Sequence, residues 1–239
     1  MKARRFRQSE TAVWFQKKVM NDRFGVIWDL DGVLVDTGEF HFQSWSRTLG
    51  HYEIPFNRDF FRKTFGMNNT GVLTTLLGQT PDPHLLTKID QEKEQLFREL
   101  IRGQAQPLSG VKSWLDRFAG EACHQAIASS APQANIDALI NELSIRKYFQ
   151  AVVSGADMPG KPDPAVFLEA ARQIEIPVER NLVIEDSVAG VEAARRAGMK
   201  CVAVLTSHSR EALKNAHIVV ERLDELSWDV VQELIAVRG

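Results

Sequence analysis

Six short apolar runs, separated by stretches of helical length, restrict this chain to very few folds. The runs cover 24–29, 124–129, 151–154, 182–185, 201–204 and 218–220. Helical patterning falls over 111–118, 133–142, 164–173, 188–197 and 210–214, with a last helix over 225–236. Alternation of this kind predicts an α/β fold, a Rossmann-like, doubly wound parallel sheet. The runs are continuously apolar rather than alternating, as strands buried on both faces require. Residues 38–106 break the rhythm. They are helical throughout, punctuated by Gly66, Gly71, Gly78, Pro81 and Pro83, and Pro107 marks the return to the αβ pattern. The first strand is therefore followed by an all-helical insertion. Ligands of open α/β sheets bind beyond the carboxyl ends of the strands, so an insertion leaving that end hangs over the site as a cap. The organisation expected is a basic extension over 1–20, a catalytic core over 21–37 and 107–239, and a helical cap domain over 38–106.

Composition is that of an ordinary globular protein, with 239 residues, 44% hydrophobic and 25% charged. A net charge of −2 gives no case for a nucleic-acid-binding surface. Residues 1–20 hold six Lys and Arg against the single acid Glu10, which reads as a surface helix or a disordered leader. No apolar stretch approaches the ~18–20 residues that span a bilayer. No apolar core follows the basic start, which argues against a secretory signal. Cys123 and Cys201 sit in apolar runs as buried, reduced thiols, which suits the cytoplasm.

Four strand ends carry chemistry. The first apolar run stops at Asp29, and Asp31-Gly32 follows. The second ends in Ala128-Ser129-Ser130-Ala131-Pro132, a hydroxyl-rich turn opening a helix. The third is followed by Gly160-Lys161-Pro162-Asp163-Pro164, a lysine among turn residues. The fourth ends in Ile184-Glu185-Asp186-Ser187. In a parallel sheet these ends share one edge, where Asp29, Asp31, Glu185 and Asp186 converge with Lys161 and two hydroxyls. Two like charges about 4 Å apart repel by ~4 kcal/mol at an effective dielectric of 20, so a cation belongs among them. Carboxylates with water and phosphate oxygens suit Mg²⁺, and helix starts with hydroxyl turns suit an anion. Together they describe a phosphate site with a nucleophile beside it.

These four segments, in this order and spacing, resemble the haloacid dehalogenase superfamily, in its phosphatase and β-phosphoglucomutase-like branch with a small helical cap. DLDGVLVDT resembles the first motif, IASS the second, GKPDP the third and VIEDS-VAGVEAARRAG the fourth. The likeness covers about residues 24–220. It implies that Asp29 is the nucleophile forming an aspartyl-phosphate and Asp31 the general acid and base. Ser129 and Ser130 would bind the phosphoryl oxygens, and Lys161 would neutralise Asp29 and the phosphoryl charge. Mg²⁺ would be held by Asp29, Asp31 through its backbone carbonyl, Asp186 and Glu185.

Asp31 also selects the reaction, because dehalogenating and phosphonate-cleaving relatives do not carry an aspartate there. The resemblance therefore implies cleavage of a P–O bond, by a hydrolase or a mutase. The stretch 36–50 is similar to the mutase branch, with His41 at the hinge and Trp45 in the cap. Elsewhere the chain departs from that branch. Asn69 stands where mutases place an arginine for a second phosphate, and Phe65 stands where they place a lysine. Ala131-Pro132-Gln133 replaces their Ser-Lys-Asn. Asn68, Asn69 and Asn135 are expected instead to hydrogen-bond a neutral sugar or polyol. The expected activity is a Mg²⁺-dependent phosphatase for a small phosphorylated metabolite. The alternatives are a β-phosphoglucomutase-like isomerase and, more remotely, a catalytically silent binding protein, since fold does not guarantee function.

Overall fold

The computed structural model describes residues 23–121 and 123–236; the basic extension over 1–20 lies outside them. Six parallel strands form one sheet in the order β3-β2-β1-β4-β5-β6. They are β1 (Gly25–Trp28), β2 (His124–Ser129), β3 (Ala151–Ser154), β4 (Asn181–Glu185), β5 (Lys200–Val204) and β6 (Ile218–Val220). Both faces are covered, and successive residues of one strand feed different cores. Val26 and Trp28 of β1 enter one apolar cluster and Ile27 the other. In β4, Leu182 and Ile184 face the first cluster and Val183 the second. This is why the strands read as unbroken apolar runs.

Helices α5 (Val111–Gly120), α6 (Gln133–Glu142) and α9 (Trp228–Ile235) cover the first face, and α7 (Ala165–Gln173) and α8 (Val188–Ala197) cover the second. The chain runs outward from β1 through β2 to β3, then returns to β4 on the other side of β1. The order therefore reverses between β1 and β4, the point at which doubly wound sheets bind ligands.

Between β1 and α5 lie α1 (Gly38–His51), α2 (Arg58–Thr64), α3 (Asn69–Leu77) and α4 (Pro83–Ile101). Their boundaries are local chemistry. Asn57 and Asn68 cap α2 and α3 with their side-chain oxygens, and Asp82 caps α4 with Pro83 behind it. Trp45, Leu49, Val72, Leu73 and Ile89 form a third, smaller apolar cluster. Further along α4, Phe97 and Ile101 pack into the first core cluster, so this helix joins the insertion to the sheet layer.

Two elements differ from the sequence reading. Residues 210–214 are turns rather than a helix. The last helix begins at Trp228 rather than 225, because Ser227 caps it and a short 3-10 turn, Leu223–Glu225, precedes it. Cys123 and Cys201 are buried and unpaired, and burial pushes the Cys123 thiol up to about 12. Among the described residues no helix is long and apolar enough to cross a membrane.

Candidate active site

Asp29 follows directly on β1. Its backbone N–H still bonds the Ile184 carbonyl at 2.9 Å, so the last rung of the β1–β4 ladder fixes where its side chain emerges. Lys161, on the loop between β3 and α7, donates to Asp29 Oδ1 at 2.5 Å and to Glu185 Oε1 at 2.7 Å. All three are buried. Burial alone would lower the lysine, but Asp29 and Glu185 outweigh it and hold the ammonium above its ordinary range.

Among the described residues, Lys161 is the one cation acting on Asp29, against several acids. Burial first, then the charges of Glu185 and Asp31, push it up to about 8 against the pull of Lys161. Asp186 is raised too, by burial and by the charges of Glu185 and Asp29. Ser207 donates to Asp186 Oδ2, and His208 Nδ1 contacts its backbone carbonyl at 3.2 Å. The Asp186 carboxylate passes so close to Gly32 that a Cβ there would lie 1.9 Å from Oδ2, and Gly32 also takes a φ of +83°. Both observations require glycine at that turn.

Asp31 behaves differently. Burial pushes it up, but His41, Thr37 and Lys93 more than offset that and hold it below the usual carboxylate range. Thr37 Oγ1 donates to its Oδ1 at 2.5 Å, and His41 Nε2 lies 3.2 Å from the same atom. Ser129 Oγ makes a long 3.5 Å contact to Oδ2 and accepts the Ala131 N–H at 3.1 Å. His41 is stacked on Phe97, with ring centroids 4.0 Å apart, and its Nδ1 lies 3.0 Å from Lys93 Nζ. An ammonium has no lone pair to offer, so Nδ1 accepts and Nε2 carries the hydrogen that Asp31 receives. Lys93 donates to Glu94 Oε1 at 2.7 Å, and Glu94 in turn accepts from Asn69 at 2.6 Å and from Asn135.

Several residues named from the sequence have other partners. Glu185, expected as a metal ligand, has both oxygens committed. Oε1 takes Lys161, and Oε2 takes the backbone N–H groups of Asp186 and Ser187 at 2.6 Å each. Its carboxylate lies against Gly190, where a Cβ would fall 1.7 Å from Oε1. Gly190→Ala is therefore expected to displace Glu185, destabilising the fold by about 1–3 kcal/mol; a thermal or urea melt measures it.

Asn69 and Asn135, expected to meet substrate, are held by Glu94, Asp90 and Arg98, and Asn68 is bound to the Met158 carbonyl. Trp45 belongs to the third apolar cluster, with one edge on the cavity between insertion and sheet. Ser130 Oγ donates to the Gly66 carbonyl at 2.8 Å. Asp29, Asp31, His41, Ser129 and Ser130 line that cavity, with Phe61, Phe65 and Met67 opposite.

Lys93, Glu94 and Ser207 are absent from the sequence reading. Lys93 had a signal: it falls on the stripe Ile89, Lys93, Phe97, Ile101, where a charge needs a buried partner. Among the described residues no three Asp, Glu, His or Cys side chains form a metal-ligating cluster. The donor set is instead two buried carboxylates, Asp29 and Asp186, and the charge of Asp29 is among the causes that raise Asp186. That set fits Mg²⁺, which binds through one or two carboxylates and keeps the remaining positions for water and phosphate oxygens.

Paired acids and a buried lysine thus gather where the order of a parallel α/β sheet reverses. The chain belongs to the haloacid dehalogenase-like hydrolases, whose family pattern matches residues 26–204. It is 32% identical over 207 residues to the chloroplastic 5-amino-6-(5-phospho-D-ribitylamino)uracil phosphatase of Arabidopsis thaliana. That match covers 85% of this chain and 55% of that protein, so the chain spans about half the relative's length. It is 30% identical over 217 residues to the phosphorylated carbohydrates phosphatase of Thermotoga maritima, covering 88% and 99% of the two. The crystal structure of β-phosphoglucomutase from Clostridium difficile shares the fold, with a TM-score of 0.80 at 24% identity over 89% of this chain and 97% of that one.

Proposed function

We propose that this chain is a Mg²⁺-dependent phosphatase that hydrolyses a small phosphorylated metabolite, a phosphosugar or polyol phosphate, through phosphoryl transfer to Asp29. The observation that carries this is the Lys161–Asp29 contact at a strand end, where Asp29 and Asp31 both line the cavity under the insertion. Asp29 attacks phosphorus and the ester P–O bond breaks, with the proton for the leaving oxygen coming from Asp31. Water then gives a proton to Asp31 and attacks the aspartyl-phosphate, freeing phosphate and Asp29. Asp31 takes its proton from solvent before the first turnover and from the attacking water thereafter, and His41 Nε2, 3.2 Å from Oδ1, orients its carboxyl.

Lys161 and the Ser129 hydroxyl meet the phosphoryl oxygens, and Glu185 keeps the ammonium in place. Asp29, Asp186 and the Asp31 carbonyl would hold Mg²⁺, which when bound supplies positive charge to those oxygens. The helical insertion acts as a cap that excludes water once substrate is in place. The unpaired, buried Cys123 and Cys201 support a reducing compartment, as in the cytoplasm.

Hydrolysis is favoured over isomerisation by the state of the polar groups facing the cavity. Lys93 is engaged by Glu94 and His41, and Asn69 by Asp90 and Glu94, so neither is left to hold a second phosphate. The phosphatases of phosphorylated carbohydrates and of a ribityl phosphate among the relatives point to the same substrate class. The test is release of inorganic phosphate from an aryl phosphate and from a panel of phosphosugars and polyol phosphates. Turnover that requires Mg²⁺ and stops with EDTA is expected. Conversion of glucose 1-phosphate to glucose 6-phosphate without net phosphate release would overturn the hydrolytic reading.

Metal removal has a stability signature as well. A carboxyl raised in the folded state binds more protons folded than unfolded, so metal-free stability is full below the unfolded value. It falls as pH rises from 3.8 toward about 8 for Asp29. Mg²⁺ replaces those protons, so it should raise the melting temperature more at pH 8 than at pH 6. A melting temperature in EDTA that climbs steadily from pH 5 to pH 8 would contradict this.

A further inference from the structure

The turn 65–68, between α2 and α3, meets three strand-end loops at once. Beyond β2, Ser130 Oγ donates to the Gly66 carbonyl. Beyond β4, Ser187 lies so close to Gly66 that a Cβ there would come within 2.6 Å of its Oγ. Beyond β3, Asn68 Nδ2 donates to the Met158 carbonyl at 3.1 Å. Asn68 is 6% exposed, and its Oδ1 accepts the Gly71 N–H at 2.9 Å, capping α3. A Cβ on Gly160 would lie 3.0 Å from that Oδ1 and 3.2 Å from Nδ2. The loop packs on the amide because residue 160 has no side chain, and Lys161 is the next residue.

Capping alone does not call for asparagine, since Asp and Ser serve equally well. What distinguishes Asn68 is the second bond, from its amide N–H to Met158. A carboxylate at 68 would cap α3 yet place a negative oxygen against the Met158 carbonyl. A serine would cap α3 and be too short to reach it. The loop itself is a chain of tight turns, with the Met158 N–H on the Gly155 carbonyl at 3.1 Å and the Asp163 N–H on the Gly160 carbonyl at 3.0 Å. A displacement at Met158 is therefore carried to Lys161.

We propose that Asn68 is a positioning residue whose amide ties the seating of the helical insertion to the alignment of the 156–161 loop, and through it of Lys161. This rests on Lys161 serving the phosphoryl group as set out above. Asn68 touches neither nucleophile nor substrate in this role. It makes the lysine's alignment depend on the insertion being in place.

The test compares Asn68→Ser and Asn68→Asp with the unaltered protein by melting temperature, steady-state kinetics and amide hydrogen exchange without substrate. Both variants keep the α3 cap and are expected to fold, melting below the unaltered protein for loss of the buried bond to Met158, further for Asp than for Ser. Their kcat should fall on the order of 10- to 10²-fold, further for Asp than for Ser, with KM moving much less. Amides over 156–163 should exchange faster in both. Gly160→Ala leaves Asn68 itself unaltered and presses on the same amide from the other side, 3.0 Å from Oδ1 and 3.2 Å from Nδ2. It should reproduce the faster exchange and the lower kcat, keeping the proposal falsifiable if a residue-68 variant folds poorly. Unchanged exchange and unchanged kcat in all three variants would reduce Asn68 to a helix cap and overturn the proposal. If exchange rises in the variants but the unaltered protein releases no phosphate from any substrate, the link from Asn68 to the loop stands and the phosphatase reading fails.

Discussion

Asn in place of Asp29 is expected to lower phosphate release by about 10⁴-fold or more, as for loss of an essential nucleophile, while the melting temperature holds or rises. The amide matches the carboxylate in shape but cannot attack phosphorus. Stability should not suffer, because burial and the charges of Glu185 and Asp31 already work against an ionised Asp29. Lys161 keeps Glu185 as its partner at 2.7 Å. The same substitution removes a carboxylate from the proposed Mg²⁺ site, so calorimetry should show weaker metal binding. Retained turnover in a folded Asp29→Asn protein would remove the proposed nucleophile.

Lys161→Met is expected to affect both stability and rate. The lysine is buried and is the ion-pair partner of both Asp29 and Glu185. Removing one member of a buried ion pair costs about 3–5 kcal/mol, because the remaining charge stays buried without its partner. Acid relieves this, since protonating Asp29, already pushed up to about 8 by burial, removes one of the two stranded charges. The penalty should therefore shrink as pH falls from 8 toward 5. Adding Glu185→Gln to Lys161→Met should restore much of the stability and none of the activity. That double substitution separates the structural role of the lysine from its role at the phosphoryl group. Urea unfolding at several pH values, with phosphate release alongside, measures both.

The strands were legible because burial on both faces leaves no polar alternation. Asp29, Ser129 and Glu185 stood out as the residues at which that apolarity stops. Asn57, Asn68, Asp82 and Ser227 cap their helices through bonds confined to four residues of chain. That local signal is passed over where the sequence reading places Asn68 at the substrate and starts the last helix at 225. What local pattern does not carry is where a long or amide side chain turns. Glu185 looks identical in sequence whether it faces a metal or folds back onto the N–H groups of Asp186 and Ser187. Gly190, five residues on, is the local trace of its actual direction. Asn69 and Asn135 lie 25 and 41 residues from the carboxylate that holds them, and no periodicity links such positions. Residues 210–214 have helical composition but too short a span, and although Ser209 Oγ accepts the Ala212 N–H at 3.4 Å they settle into turns.

The most direct test is acid-quenched, rapid-mix mass spectrometry with an aryl phosphate and Mg²⁺, followed by peptide mapping. One phosphoryl group on the peptide containing Asp29, appearing before phosphate release and absent from Asp29→Asn, is expected. Phosphate release with no phosphorylated protein at any time, or the group on a peptide lacking Asp29, would contradict phosphoryl transfer to this strand end.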